Sequence, residues 1–244
     1  MDDGQMEQTL VLIKPDALRL SLTGYLFSQL SEFHIGVRFA GLKVVHVSRA
    51  LAEEHYAEHK GKSFYEPLLD YITGRKHYPA EPHSRRVIAV VYSGVDAVEK
   101  IRRTAGPTDP HVAREHAPGT IRALGTLVPV KDADGNVVGQ RMDNLIHASA
   151  SPDEAEREIK LWFRPTDIMP YMRGWPIERC EGYYLKDGEL SSSYEPGSTC
   201  LLAPGSLAWK SDLDALREVS RGGTPQCGLN RVVIKYMINT EEDT

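Results

Sequence analysis

Residues 143–163 read DNLIHASASPDEAEREIKLWF, and they predict a strand, a loop and a helix in quick succession. The apolar run at 144–146 indicates a short strand. Ser151, followed by a proline and then by Glu154 three residues on, matches a helix N-cap with a capping box. His147 is therefore expected where a strand gives way to a helix, a position at which catalytic side chains are common.

The predicted helix could supply a partner for this histidine. Ala155, Ile159 and Trp162 recur at helical spacing and give the helix one apolar face. Glu158 lies on a flank from which its carboxylate can reach back towards His147. Imidazole is a competent nucleophile at neutral pH, and a carboxylate can orient its ring. A lone histidine is more often structural, so the pair by itself does not establish a catalytic role.

The composition limits the class of protein. The 244 residues are 41% hydrophobic and 26% charged with a net charge of -5, which suits one domain with elaborations or one domain plus a small second one. No apolar run approaches membrane-spanning length, and the N-terminal MDDGQMEQ is acidic, so we expect a soluble cytoplasmic protein. The mild acidity argues against a specific nucleic-acid partner but allows a basic pocket for a small polyanion. Cys180, Cys200 and Cys227 show no CxxC spacing and predict reduced structural thiols.

The segments before residue 143 alternate between strand and helix patterns. In chain order they are strand TLVLIKPDA, helix SLTGYLFSQLSEF, strand GVRFAGLKVVHVS, helices RALAEEHYAEHKG and FYEPLLDYITG, strand RVIAVVYSG and helix DAVEKIRRTAG. Without the extra short helix, the order is β-α-β-β-α-β. This order predicts an α+β fold, a ferredoxin-like sandwich with an antiparallel sheet.

Two insertions interrupt the predicted main domain, residues 1–165. The insertion near 75–86, RKHYPAEPHSRR, is polar and predicts a surface loop. The insertion near 123–143 has two β-like runs around Asp134-Gly135-Asn136 and predicts a hairpin. Neither insertion is expected in the core.

Residues 166–244 differ in composition from the main domain. They are dense in glycine, proline, serine and tyrosine, which predicts an irregular C-terminal extension packed on the core or on an oligomer interface. Within the extension, DLDALREVS predicts one short helix and NRVVIKYMI one strand.

Three cations are candidates for holding phosphates. Lys14 ends the first strand, Arg102 lies on the helix before Gly106, and Arg122 closes the run HAPGTIR. Phosphoryl transfer depends mostly on positioning and charge stabilisation, so separate cations converging on one site would suit it. Each cation taken singly is a weak signal.

The joint order of several motifs is far more specific. TLVLIKPDAL, EEHYAEHKGKSFYEPLL, GPTDP, PGTIR and NLIHASASPDEAEREIKLWF together closely resemble the signature segments of the nucleoside diphosphate kinase family. The resemblance implies a ping-pong enzyme that passes the γ-phosphoryl group of a nucleoside triphosphate through His147 to a nucleoside diphosphate. It implies Mg²⁺ held mainly by the nucleotide phosphates, without direct metal ligands from the protein. It also implies a homo-oligomer, a tetramer or hexamer built from dimers.

The resemblance also assigns roles to individual residues. His147 would be the phosphorylated nucleophile, oriented by Glu158 and Ser149, with Tyr56 lining its pocket. The nucleotide-binding residues it implies are Lys14, Arg102, Thr108 and Arg122 at the phosphates or nearby ribose hydroxyls, Asn144 at the ribose, and Phe64 and Leu68 at the base. A base held chiefly by an aromatic face is bound with little selectivity, because every base has a π surface.

The sequence departs from the family pattern beside the nucleophile. Ala148 and Ala150 stand where the family usually has glycine and aspartate. The missing aspartate removes a local hydrogen-bonding carboxylate but leaves His147 and Glu158 in place, so we expect activity to survive, unchanged or reduced. A backbone contact that the family makes to the base would fall near Arg141, inside an insertion, and is not carried over.

Two other functions are also compatible with the sequence. The insertions could narrow the cleft and give a specialised phosphotransferase with a restricted acceptor. Alternatively, the extension could supply a partner surface for a non-catalytic nucleotide-binding regulatory protein. The presence of both His147 and Glu158 disfavours the second alternative, because a binding module needs neither residue.

Overall fold

The computed structural model describes residues 6–131, 134–225 and 227–238. The strands are β1 (Met6–Ile13), β2 (Arg38–Val45), β3 (Val87–Val95), β4 (Thr126–Lys131), β5 (Val137–Asp143), β6 (Ile146–Ala148), β7 (Ile177–Arg179), β8 (Tyr183–Lys186), β9 (Glu189–Ser191), β10 (Thr199–Leu202) and β11 (Leu207–Trp209).

The helices are α1 (Pro15–Arg19), α2 (Thr23–Gln29), α3 (Glu32–Ile35), α4 (Arg49–His55), α5 (Tyr65–Ile72), α6 (Ala97–Ala105), α7 (Pro110–His116), α8 (Pro152–Trp162), α9 (Lys210–Ser220) and α10 (Leu229–Val233). Short 3-10 turns and one π-helical turn, Ile234–Ile238, connect or extend them. Among the described helices, none has the length and apolar character needed to cross a membrane.

The central sheet confirms the predicted ferredoxin-like fold. Its strand order is β2-β3-β1-β6, and every neighbouring pair is antiparallel. Side chains alternate across β1, so that Leu10 and Leu12 enter one hydrophobic cluster while Val11 and Ile13 enter the other. Helices α4, α5 and α8 contribute to the first cluster, and α2 and α6 contribute to the second. Both faces of the sheet are therefore covered.

The strand that carries His147 begins later than the sequence predicted. The strand is Ile146–Ala148, and His147 lies within it, opposite Leu12 of β1. Leu145, which was expected in the strand, instead has φ 70° in a γ-turn, closed by a 2.8 Å bond from the next N–H to the Asn144 carbonyl. This turn is strained for a residue with a side chain, and local periodicity gives no sign of it.

The two insertions are joined to each other by a buried contact. The predicted hairpin is confirmed, since β4 and β5 pair as antiparallel strands. The loop at 75–86 lies mostly on the surface, as predicted, but His77 is buried and its Nε2 donates to Asp143 Oδ2 at 2.9 Å. Arg141 binds both oxygens of the same carboxylate. The expectation that neither insertion contributes to the interior is therefore wrong for His77.

The C-terminal extension is more regular than the sequence predicted. It contains β7 to β11, α9 and α10, and the predicted helix DLDALREVS lies within α9. The predicted strand NRVVIKYMI is wrong, because this segment forms α10 and the π-helical turn. Packing overrides its β-propensity: Val232 is fully buried in a cluster with Leu213 and Leu216 of α9.

Side chains of the extension bind the C-terminal half of α8. Each donates a hydrogen bond to a backbone carbonyl in or just after this helix. Two of the acceptors, Lys160 and Phe163, lie where the last carbonyls have no partner within the helix. The donor and acceptor residues are Trp209 and Phe163 (2.8 Å), Arg231 and Arg157 (3.1 Å), and Lys235 and Lys160. The extension is thus attached to α8 by directional bonds as well as by apolar packing.

We predict that Trp209→Ala lowers the free energy of unfolding by about 3–5 kcal/mol, the usual loss for a buried tryptophan. Trp209 is fully buried and also donates to Phe163, so its removal opens a cavity and frees a carbonyl. Urea denaturation followed by circular dichroism measures the change. Tyr171→Ala is the control, because that side chain is 76% exposed. Equal stability of Trp209→Ala and the wild type would contradict this attachment.

Candidate active site

A buried carboxylate orients the imidazole of His147. Nε2 of His147 lies 2.9 Å from Oε2 of Glu158, and the hydroxyl of Ser149 donates to the same oxygen at 2.7 Å. A carboxylate accepts hydrogen bonds, so Nε2 carries the ring proton and Nδ1 holds the lone pair. The ring is therefore presented with Nδ1 as its nucleophilic atom.

Backbone bonds fix the loop between this strand and α8. The Ser149 hydroxyl accepts from the Leu10 N–H at 3.2 Å, and the Ser149 N–H donates to the Leu10 carbonyl, so the loop is tied to β1. The predicted N-cap is confirmed, because the Ser151 hydroxyl accepts from the Glu154 N–H at 3.2 Å. The carboxylate of Glu154 bonds to the N–H of Ala150, one residue before the position that a capping box predicts.

The electrostatic environment keeps the imidazole neutral. Desolvation in the cleft, together with the charges of Lys14 and Arg122, lowers the pKa of His147 to about 3. Burial raises the pKa of Glu158, although nearby donors and cations oppose this effect. At neutral pH His147 is thus deprotonated at one nitrogen and available for nucleophilic attack.

Lys14 heads a chain of hydrogen bonds at the end of β1. Its ammonium group is buried and donates to Oδ1 of Asn144 at 2.5 Å, and the Asn144 amide donates to the Thr108 carbonyl at 2.8 Å. Burial lowers the pKa of Lys14 to about 8. The structure therefore brings together three of the residues that the sequence assigned to the nucleotide.

Arg122 lies beside the strand that carries His147. Its guanidinium group is buried and donates to the carbonyls of Gly106 (2.9 Å) and Ile146 (3.3 Å). Gly106 has φ 82°, and a Cβ there would overlap the side chain of Thr120. Only glycine therefore allows the Thr120 side chain to lie this close to the backbone of residue 106. Arg102 is exposed on α6. The pKa of Arg122 is lowered mainly by the burial of Arg122 itself and next by the positive charge of Arg102.

Asp16 is a residue of this site that sequence reasoning missed. Its Oδ2 accepts the Leu145 N–H at 2.9 Å, while the Leu145 carbonyl accepts the Lys14 N–H at 2.9 Å. These bonds hold the strained γ-turn just before the strand of His147. Asp16 stands two residues after Lys14 in the sequence, but its partner is distant in the chain, so no local pattern could reveal the contact.

A row of rings runs from His147 to the surface. His147 packs edge-on against His55 at 4.7 Å between ring centroids, and His55 packs against Tyr56 at 4.5 Å. Tyr56 stacks on His59 at 6.0 Å, which meets Phe64 edge-on at 5.5 Å. The sequence predicted Tyr56 and Phe64 but missed the two histidines between and beside them.

Phe64 occupies the exposed end of this row. Its side chain is 49% exposed, so Phe64 is not a core residue. Leu68 lies one turn further along, where its N–H donates to the Phe64 carbonyl at 3.0 Å and its side chain is partly buried. Of the predicted residues, Phe64, Arg102 and Thr108 are thus exposed, and Leu68 and His147 are partly buried. The others are buried: Lys14, Tyr56, Arg122, Asn144, Ser149 and Glu158.

The comparison with known proteins identifies the family. The chain matches the model of the family described as nucleoside diphosphate kinase over residues 7–168. The chain belongs to the nucleoside diphosphate kinase family. Its activity is accordingly that of a nucleoside diphosphate kinase, a phosphotransferase.

Several relatives share most of their length with this kinase. A nucleoside diphosphate kinase of Thermococcus kodakarensis is 36% identical over 201 residues, which cover 82% of this chain and 99% of the relative. One of Pyrococcus furiosus is 41% identical over 169 residues, covering 69% of this chain and 90% of the relative. The solved structure of the Halobacterium salinarum enzyme in complex with CDP is 34% identical, with a TM-score of 0.52, and the match covers 70% of this chain and 95% of that one. A nearly complete family domain is thus present.

We predict that kcat/KM of the kinase for ATP falls as the pH rises above about 8. Lys14 is protonated below its pKa of about 8 and loses its charge above it, so the phosphate contact that the family resemblance implies for Lys14 should weaken in the free enzyme. Initial rates from about pH 6 to about pH 10 measure the profile. Lys14→Arg is the control, since an arginine stays protonated over this range and should remove the decline. A wild-type profile that is flat through the alkaline limb would contradict the role of Lys14.

Proposed function

We propose that this kinase transfers the γ-phosphoryl group of a nucleoside triphosphate to Nδ1 of His147, and from there to a nucleoside diphosphate. Nδ1 attacks the γ-phosphorus, the bond to the β-phosphate oxygen breaks, and the first diphosphate leaves. An oxygen of the second diphosphate then takes the group from Nδ1. The observation that carries this proposal is the 2.9 Å hydrogen bond from His147 Nε2 to Glu158, which leaves the lone pair of a neutral ring on Nδ1.

Glu158 would stabilise the positive charge that develops on the His147 ring, and Ser149 would hold Glu158 in place. The imidazole becomes positively charged as the Nδ1–phosphorus bond forms, and a carboxylate bonded to Nε2 stabilises that charge. Glu158 is only 1% exposed, so solvent screens this attraction weakly. The Ser149 hydroxyl keeps the accepting oxygen in place through its own 2.7 Å bond.

Several separate donors would hold the triphosphate. We assign Lys14, Arg122 and Arg102 to the phosphates, Thr108 to a phosphate or ribose oxygen and Asn144 to the ribose, with Tyr56 lining the pocket of the nucleophile. One cation could not neutralise a triphosphate in a partly desolvated cleft. Support comes from Arg122, whose Nε has no hydrogen-bond partner among the described residues.

Mg²⁺ fits this site as part of the nucleotide complex. When bound with the nucleotide, the ion would reduce the negative charge of the phosphates. Both oxygens of Asp143 bind His77 and Arg141, and Oδ2 of Asp16 binds the Leu145 N–H, while the buried Oδ1 of Asp16 has no hydrogen-bond partner among the described residues. These two carboxylates thus leave at most one oxygen for the ion, and its other ligands would be phosphate or water oxygens. We therefore assign the ion to the phosphates, while the protein's cations hold and orient the nucleotide.

The base would stack on Phe64 and be flanked by Leu68. Phe64 is 49% exposed, with Lys62 Nζ over its ring at 5.7 Å from the centroid, so part of the ring is accessible to a base. An aromatic face binds all bases with similar strength. The Halobacterium salinarum relative was solved in complex with CDP, which supports nucleoside diphosphates as ligands of this chain as well.

We further propose a homo-oligomer built from dimers, a tetramer or hexamer, working in the cytoplasm. Strand β2 is an edge of the central sheet and exposes Leu42 and Val44 by 51% and 60%, which supports contact with another subunit. The cysteines Cys180, Cys200 and Cys227 are all free thiols, which suits a reducing compartment.

We predict that His147→Ala abolishes phosphotransfer without unfolding the protein. The test incubates the enzyme with Mg²⁺ and γ-labelled ATP and then adds an unlabelled nucleoside diphosphate. Wild type should acquire acid-labile, alkali-stable label and pass it to the added diphosphate, because the group resides on a histidine nitrogen. His111→Ala, a change at an exposed histidine on α7, is the control and should behave like wild type. Label on the His147→Ala protein would refute the mechanism.

A further inference from the structure

A second carboxylate lies close to the nucleophile and has no role in the mechanism above. Glu154 precedes Glu158 by one helical turn on α8, so both carboxylates project from the same side of the helix. Desolvation and cations lower the pKa of His147, and the negative charge of Glu154 opposes that effect. Glu154 is half-buried, which limits the screening of its charge by solvent.

The carboxylate of Glu154 is also tied to the loop that leaves the strand of His147. Its Oε2 accepts the N–H of Ala150 at 2.9 Å. That N–H belongs to the peptide that joins Ser149 to Ala150, so the bond fixes the backbone immediately after the hydroxyl that binds Glu158. The side chain of Ala150 is a methyl group and can make no such bond itself.

We propose that Glu154 is a positioning residue for phosphotransfer. It holds the peptide between Ser149 and Ala150. This keeps the Ser149 hydroxyl bonded to Glu158, and so keeps the imidazole of His147 in its orientation. This inference rests on the proposed phosphohistidine mechanism.

A helix cap would explain the same hydrogen bond through stability alone, so the two roles need different readouts. A capping carboxylate changes the melting temperature, whereas a positioning carboxylate also changes the rate of the chemical step at a temperature where the protein is folded. Glu154 touches no nucleotide in the proposed mechanism, so the positioning role predicts a lower kcat with little change in KM.

The test compares Glu154→Ala, Glu154→Gln and the double variant Glu154→Ala with Ala150→Asp. Single-turnover phosphorylation by γ-labelled ATP should slow about tenfold in Glu154→Ala, the scale of one charge-assisted hydrogen bond. Glu154→Gln keeps an acceptor but loses the charge, so its rate should lie between those of Glu154→Ala and the wild type. Ala150 is exposed and has room for a larger side chain, and an aspartate there should restore most of the rate by returning a carboxylate to the loop.

Asp153→Ala is the matched control, since it removes an exposed carboxylate from the same helical turn. It should leave the single-turnover rate unchanged. A wild-type rate in Glu154→Ala, a change confined to KM, or an equal loss of rate in Asp153→Ala would each overturn the positioning role. Failure of the underlying mechanism would look different, because label would then form on His147→Ala, whereas the Glu154 variants should still be labelled on His147, only more slowly.

Discussion

Glu158 places one buried carboxylate oxygen between two donors, the imidazole Nε2 of His147 and the hydroxyl of Ser149. Burying a carboxylate is costly unless hydrogen bonds replace those it made with water, so both donors have to be in place in the folded protein. Strand β6 and helix α8 must therefore meet at one fixed distance. The ties from Ser149 to β1 and the cap at Ser151 are the local means by which the chain meets this requirement.

The helix that carries Glu158 is fixed at both of its ends. Ser151 and Glu154 bind the backbone at its start, and the C-terminal extension binds carbonyls around its end through residues such as Trp209. On the other side of His147, Asp16 holds the strained backbone of Leu145. Strain of this kind persists only where surrounding bonds over-determine the conformation. The geometry of the His147–Glu158 pair thus depends on bonds contributed by distant parts of the chain, including the extension that the sequence predicted to pack on the core or on an oligomer interface.

Local signals in the sequence predicted the features that depend on local physics. The periodicity around Glu158, the N-cap at Ser151 and the hairpin around Gly135 were confirmed, because capping, amphipathicity and turn chemistry act over a few residues. The helical NRVVIKYMI segment was missed, since packing against α9 decided its conformation. His55 and Asp16 were missed for a related reason: their partners lie far away in sequence, and only the folded chain brings them together.

The hydrogen bond between Glu158 and His147 is tested most directly by determining which imidazole nitrogen carries the phosphoryl group. If Glu158 holds the proton on Nε2, the enzyme labelled with ¹⁵N-histidine and phosphorylated by ATP should show phosphorus bonded to Nδ1 of His147 in its NMR spectrum. Phosphorus on Nε2 would contradict it, because the Glu158 hydrogen bond and the phosphoryl group would then compete for the same nitrogen.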